Sequence, residues 1–161
     1  MRGHAFKRPQ AQRGVAMVEF AITLPLLLLL LLAIGEFGRM LYQYNSLLQA
    51  SRDAGRYVAG QAWNATLGVV ELSSDLETKT KNVAVYGVPA NPNGYPAVVP
   101  GLTTANVQVS SVGTNHVQVS INFTFCPVIG SGNCGGSLPG FFGNAIALNI
   151  PLIATTVMRA L

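Results

Sequence analysis

Residues 13–39 read RGVAMVEFAITLPLLLLLLLAIGEFGR, and this stretch decides the fold of the chain. Its central run, Val15–Ile34, has twenty residues, of which nineteen carry no charge. As an α-helix such a run measures about 30 Å, the thickness of the hydrocarbon core of a bilayer. We therefore expect a transmembrane helix over residues 15–35. The exception is Glu19, because a carboxylate at that depth costs roughly 2.5–3.5 kcal/mol on insertion scales and should be absent unless it has a use.

The distribution of charge predicts the orientation of this helix. The chain has 161 residues and a formal net charge of +4, and four of its ten basic residues precede the apolar run. From residue 15 onward, six basic residues balance six acidic residues. Because positive residues beside a membrane helix stay in the cytoplasm, residues 1–14 are predicted to form a cytoplasmic leader and the part after the helix to be exported. A neutral exported part also argues against nucleic-acid binding.

The helix is expected to continue beyond the membrane as an amphipathic helix over residues 36–60. Apolar and small residues recur there at spacings of three and four, the period of one helix face. The predicted buried stripe consists of Phe37, Met40, Leu41, Tyr44, Leu47, Leu48, Ser51, Ala54 and Val58. Mostly off this stripe lie Arg39, Gln43, Gln49, Arg52, Asp53 and Arg56.

Residues 61–161 are predicted to form an exported α+β domain. A second helix is expected within ELSSDLETKTKNVAVYG, with Ser73 or Ser74 as its N-cap and Gly87 at its end. Strict alternation predicts antiparallel strands in ANVQVSS and HVQVSINFTFC, joined by a hairpin turn. The predicted buried residues of the second strand are Val117, Val119, Ile121, Phe123 and Phe125. AIALNIPLIATTVMRA is expected to form one last strand, in which Pro151 indicates a sheet edge or a bulge.

The predicted fold class is thus α+β, with a long N-terminal membrane-spanning helix that continues into an amphipathic helix packed on a small antiparallel β-sheet. Cys126 and Cys134 lie in the loop sequence CPVIGSGNC, and an oxidising compartment would favour a disulfide worth about 2–3 kcal/mol. A metal pair lacks ligands there, because His4 and His116 are distant in sequence. No motif joins the titratable residues into a catalytic constellation, so we expect neither an enzyme nor a cofactor, metal or small-molecule substrate.

Three interpretations of the N-terminus compete. An uncleaved signal-anchor helix would leave Glu19 snorkelling near the membrane boundary. A secretory signal would be cleaved at AIG, before Glu36. In the third interpretation, GVAMVEF from Gly14 to Phe20 resembles the type IVb prepilin site, in which a membrane peptidase cuts after glycine. Val15 would then be the new N-terminus and Glu19 the fifth residue of the mature chain.

The third interpretation gives Glu19 a physical function. Cleavage after Gly14 leaves an α-amino group at the membrane boundary. In an assembly of parallel helices, Glu19 of one subunit can pair with the amine of a neighbour that is shifted along the helix axis. Such a pair replaces two costly isolated charges with one compensated ion pair.

The resemblance extends beyond the cleavage site. RGVAMVEFAITLPLLLLLLLAIGEFGR followed by LLQASRDAGRYVAG is similar to the TadE-like family of minor pseudopilins of tight-adherence (Tad) pilus systems, over about residues 13–60. The shared features are a basic leader, Gly-x-x-x-x-Glu-Phe, a leucine-rich run, Glu-x-Gly-Arg and an amphipathic helix containing Ala, Arg and Gly. The processing motif itself is matched by Gly14, Val15, Glu19 and Phe20.

The resemblance implies a pilin-like fold and a non-enzymatic accessory subunit that assists the assembly of adhesive type IVb pili. Its implied partners are prepilin peptidase, other pilins and pseudopilins, the pilus assembly platform and the lipid bilayer. Its implied location is the bacterial inner membrane, crossed once with the N-terminus in the cytoplasm and the C-terminal domain in the periplasm, or alternatively the pilus itself. The alternative function is an exported binding module, held by an uncleaved anchor and unrelated to pili.

Overall fold

The structure, a computed structural model, describes residues 13–128, 137–139, 144–147 and 149–161. Its elements in chain order are α1 (Arg13–Ala59), β1 (Trp63–Asn64), β2 (Val69–Val70), α2 (Ser74–Tyr86), a 3-10 turn (Thr104–Asn106), β3 (Val107–Val112), β4 (His116–Phe125), β5 (Ser137–Pro139), β6 (Ala145–Ala147) and β7 (Ile150–Arg159). The predicted α+β class is confirmed, with a long N-terminal helix of 47 residues and small antiparallel sheets. The chain divides into two compact units between Phe37 and Gly38.

The described part of the first unit is the helix up to Phe37, and from Val15 onward it exposes apolar side chains on all sides, with Glu19 and Glu36 as the charged exceptions. Val15 is 72% exposed and Leu26 is 65% exposed, and Pro25 lies inside the helix without ending it. A helix that is apolar on every side belongs in a membrane or in the core of a protein, because so large an apolar surface is not stable in water. By length and composition this helix can cross a membrane once, which is consistent with a single-pass anchor.

The second unit is built on a three-stranded antiparallel sheet in the order β3-β4-β7. β3 and β4 form the predicted hairpin. β7 pairs with β4 along its whole length, from Ile150 opposite Phe125 to Arg159 opposite His116. β4 is therefore the central strand, and β3 and β7 are the two edges.

The alternation predicted for β4 is confirmed. One face carries the buried side chains of Val117, Val119, Ile121 and Phe125, with Phe123 partly buried. The intervening residues are half-buried or exposed, as expected for a sheet with one face on the core and the other in solvent.

The prediction of a single last strand is wrong. AIALNIPLIATTVMRA contains two strands, because β6 ends at Ala147 and pairs with β5, whereas β7 begins at Ile150 and pairs with β4. These different partners place the two strands in separate sheets. The inference from Pro151 is confirmed, since this residue lies near the start of an edge strand, where a missing N–H is tolerated.

Residues 38–59 of α1 pack on the buried face of the sheet through small side chains. Ser51 Oγ lies 2.8 Å from Thr156 Oγ1, and the two hydroxyls share a hydrogen bond. Gly55 lies directly against the side chains of Thr156 and Met158. Small residues at these positions let the helix backbone approach the strand closely.

The predicted buried stripe of α1 is confirmed except at two positions, Phe37 and Leu41. Its buried or partly buried members are Met40, Tyr44, Leu47, Leu48, Ser51, Ala54 and Val58. Phe37 and Leu41 are instead 57% and 44% exposed, and Gln43, predicted to lie off the stripe, is buried. The buried face runs through Gln43, Leu47 and Ala54, and Gln43 lies beside the loop at residues 98–101 and Phe123 of β4. Leu41 is turned by about 200° from Gln43 around the helix axis, so it lies outside this face.

α2 has the caps that the sequence predicts. The Ser73 hydroxyl accepts a hydrogen bond from the Leu76 N–H at 3.2 Å, and Gly87 ends the helix with a left-handed backbone (φ 75°). The buried residues of α2 are Leu76, Thr80, Val83, Ala84 and Val85. Its apolar members belong to the same core cluster as the buried residues of α1 and of the sheet.

Candidate functional site

The predicted processing residues lie at the beginning of α1. Gly14, Val15 and Glu19 line one shallow groove together with Val18 and Ile22. Residues spaced by three or four positions are neighbours on a helix surface, so Val15 lies beside Val18 and Glu19, and Gly14 lies beside Val18. The structure thus brings three of the four predicted residues onto one helix face.

The fourth predicted residue, Phe20, lies outside this groove. It follows Glu19 by one position, which turns its side chain by about 100° around the helix axis. Phe20 is 59% exposed on that neighbouring side. Its contribution to any site must therefore be made on a different face from that of Glu19.

The Glu19 carboxylate has no partner among the described residues. Apart from the helical hydrogen bonds, Glu19 makes a contact through its backbone carbonyl, which accepts a hydrogen bond from Thr23 Oγ1 at 2.9 Å. A charged group in an apolar helix needs compensation, and ionisable residues in membrane helices usually face a partner. Any compensating charge therefore comes from outside the described part of this chain.

Packing does not explain why residue 14 is glycine. A Cβ atom built on Gly14 would meet nothing within 4 Å. Gly14 is the second residue of α1, so the cost of a glycine in a helix interior does not apply to it in full. The packing of the described residues therefore gives no reason for or against glycine at this position.

The two predicted disulfide cysteines are described unequally. Cys126 directly follows β4, whereas Cys134 lies outside the described residues, so their pairing stays a prediction. At Cys126 the structure shows a different contact. Arg39 Nη2 donates a hydrogen bond to the Cys126 carbonyl oxygen at 2.6 Å, and the guanidinium carbon lies 4.6 Å from the centre of the Phe125 ring.

This clamp, formed by Arg39 with Phe125 and Cys126, holds α1 against one end of the sheet. A charge-assisted hydrogen bond and a cation–π contact both stabilise such an arrangement. Sequence reasoning missed it, although Arg39 belongs to the Glu-x-Gly-Arg pattern. The partner is a backbone carbonyl 87 residues away, and a carbonyl group leaves no signal in the sequence.

A family model described as TadE-like protein matches residues 14–56. No curated protein and no solved structure matches the chain significantly. The matched segment begins at Gly14, contains Glu19 and Arg39, and ends where α1 packs on the sheet. The resemblance to the TadE-like family is thus confirmed for this segment.

Proposed function

We propose that this chain is a minor pseudopilin, a non-enzymatic subunit that assists the assembly of Tad-type adhesive pili. The observation that carries the proposal is the TadE-like match over residues 14–56, since it contains the groove of Gly14, Val15 and Glu19. Other pilins and pseudopilins, the assembly platform and the bilayer are the partners that this function requires. The protein acts by occupying a defined position among them rather than by catalysing a reaction.

In this proposal, prepilin peptidase cleaves the chain after Gly14. No described residue packs against Gly14, so cleavage by the peptidase can account for the glycine there. Residues 1–14, which carry the basic excess, stay in the cytoplasm until they are removed. The domain that follows α1 lies on the periplasmic side of the inner membrane.

Glu19 then sets the position of the subunit among its neighbours. The mature N-terminus at Val15 precedes Glu19 by four residues, which is about 6 Å along a helix axis. A neighbour displaced by that distance places the α-amino group of one chain level with the carboxylate of the other. The resulting ion pair offsets a burial cost of roughly 2.5–3.5 kcal/mol for the carboxylate.

Export also gives the cysteines a role. In an oxidising compartment, Cys126 and Cys134 close a short loop that begins beside the Arg39 clamp. A loop of this length is worth about 2–3 kcal/mol in chain entropy. The disulfide would therefore stabilise the end of the sheet at which Arg39 binds.

Mapping the N-terminus of the mature protein by mass spectrometry tests the proposal. The full chain is purified from membranes of a bacterium that carries the pilus system. A chain that begins at Val15 supports pseudopilin processing, and one that begins at Glu36 indicates ordinary signal cleavage. A chain that keeps Met1 favours the alternative, an exported binding module held by an uncleaved anchor.

The function of Glu19 is tested by Glu19→Ala, with Thr23→Ala as the matched control one helical turn later. Glu19→Ala should abolish or strongly reduce piliation. Thr23→Ala removes a methyl group and the hydroxyl bound to the Glu19 carbonyl but no charge, and it should not reduce piliation. Processing and pilus number are measured separately, by mass spectrometry and by electron microscopy. If Glu19→Ala leaves both unchanged, the ion pair between neighbouring subunits is wrong.

A further inference from the structure

The outer edge of β7 has no main-chain partner among the residues that the structure describes. Pro151 shows which groups point to that edge. It lies opposite Thr124 but has no N–H, so this pair belongs to the non-hydrogen-bonded type. Because the two types alternate along an antiparallel ladder, Ile153, Thr155 and Val157 also direct their N–H and C=O groups away from β4.

The same residues expose their side chains on the solvent face. Ile153 is 56% exposed and Val157 is 50% exposed, with Thr155 between them. Edge strands usually carry charges that prevent pairing with other chains, but β7 has none before Arg159. Free main-chain groups beside exposed apolar side chains are the features of a strand that accepts another strand.

We propose that this edge pairs with β3 of a second copy of the chain, so that the sheet continues from one subunit to the next. The choice of a second copy rests on the proposed function in pilus assembly. In a repeating assembly of this kind the copies share one orientation, so residues 38–59 of α1 point in the same direction in each copy. An antiparallel β7–β7 dimer would reverse one of them, so pairing between copies must be parallel.

The direction of α1 relative to the sheet is fixed at both ends. Arg39 binds the Cys126 carbonyl at the end of the sheet where β7 begins. At the other end, just after β7, the Leu161 N–H donates a hydrogen bond of 3.0 Å to the Ala59 carbonyl. α1 therefore runs parallel to β7. Since β3 and β7 are both antiparallel to β4, they are parallel to each other. A copy displaced sideways without rotation thus presents β3 to the β7 edge of its neighbour.

The register across the sheet identifies which residues would meet. Ser120 of β4 lies opposite Gln108 of β3 and Thr155 of β7, so these three residues form one row across the sheet. In the row two residues away, Gln118 lies opposite Ser110 and Val157. No described residue forms a main-chain hydrogen bond to the outer edge of β3. The contact uses two different surfaces, so it repeats without closing, which is the geometry of a filament or an open array. The shared membrane raises the effective concentration of what would otherwise be a small interface.

Cysteine cross-linking of the full chain in membranes tests this pairing. The double variants Thr155→Cys with Gln108→Cys, and Val157→Cys with Ser110→Cys, should give ladders of oligomers after copper-catalysed oxidation. The four single variants and the unmodified chain should not. Absence of ladders from both double variants overturns the proposal, and so does a dimer formed by Thr155→Cys alone, which would indicate antiparallel β7–β7 contact.

A backbone variant separates edge pairing from folding. Thr155→Pro removes an N–H that points to the free edge, whereas Thr156→Pro removes one that bonds to β4. Thr155→Pro in the Val157→Cys and Ser110→Cys background should lower cross-linking on the order of tenfold while circular dichroism stays native, and Thr156→Pro should unfold the domain. Ile153→Lys, at an exposed position, should lower cross-linking by charge alone. Unchanged cross-linking in Ile153→Lys and Thr155→Pro refutes pairing at the β7 edge.

A chain that is processed at Val15 and supports pili but gives no ladders of cross-linked oligomers refutes this inference and not the proposed function.

Discussion

Substitution of Gly55 tests how closely α1 approaches the sheet. A Cβ atom at this position would lie 3.4 Å from Cγ2 of Thr156 and 3.5 Å from Sδ of Met158, which is van der Waals contact at its tight limit. Alanine therefore fits, and removal of a glycine from a helix interior contributes about 0.8–1.0 kcal/mol. Since the tight contact offsets part of that gain, Gly55→Ala should raise the free energy of unfolding by about 0–1 kcal/mol.

Gly55→Leu should have the opposite sign. Leucine adds three carbon atoms beyond Cβ, and these would enter space that Thr156 and Met158 already occupy. Overpacking of this kind typically costs about 1–3 kcal/mol, which exceeds the gain in helix propensity. The variant should unfold at a lower denaturant concentration than the unmodified chain.

Gly38 supplies the matched control, because it lies in the same helix and a Cβ there would meet nothing within 4 Å. Gly38→Leu should be tolerated or slightly stabilising. The assay is denaturant unfolding of the full chain in detergent, followed by the fluorescence of Trp63, the only tryptophan. If Gly55→Leu proves as stable as Gly38→Leu, α1 does not approach β7 as closely as the structure requires.

Three further predictions concern single side chains. Ser73→Ala should lower the free energy of unfolding by about 1 kcal/mol through loss of the N-cap, whereas Ser74→Ala should change it little, as measured by chemical denaturation. Gln43→Met should leave stability unchanged or raise it by about 1 kcal/mol in the same assay, because the buried Gln43 Oε1 has no hydrogen-bond partner among the described residues and methionine fills a similar volume. A loss of more than about 1 kcal/mol would show that the Gln43 amide oxygen is hydrogen-bonded. The hydrogen bond from Lys79 to Asp75 and the charge of that carboxylate raise the pKa of Lys79 above its ordinary value. The small contribution of this pair to folding stability is therefore present below the ordinary pKa and is lost as pH rises through the raised pKa. An NMR titration should show that the pKa of Lys79 falls in Asp75→Asn.

The features that sequence reasoning predicted correctly depend on residues close together in the chain. The Ser73 cap and the Gly87 stop of α2, and the alternation of β4, follow from the geometry of one turn of helix or one pair of strand residues. The groove at Glu19 is equally local, because its members lie within nine positions of one helix. Its function, by contrast, requires a partner outside the chain, which is why it remains a proposal.

The errors arose where an element had to choose between partners. β6 and β7 read as one strand because alternation does not show that the first pairs with β5 and the second with β4. The periodicity of α1 likewise allows two adjacent stripes, and only the sheet decides that the stripe through Gln43 is buried while Leu41 is exposed.

The amino-acid sequence alone therefore determined the apolar helix with its single carboxylate, the caps, the alternating strands and the resemblance to the TadE-like family, since each depends on spacing along the chain. Tertiary structure alone decided the Arg39 clamp and the contact of Ser51 and Gly55 with Thr156, which join residues about a hundred positions apart. It also decided that β7 is an edge strand without a main-chain partner among the described residues, and its outward groups follow from Pro151. Such contacts depend on which surfaces meet when the chain folds, and no local pattern encodes that choice.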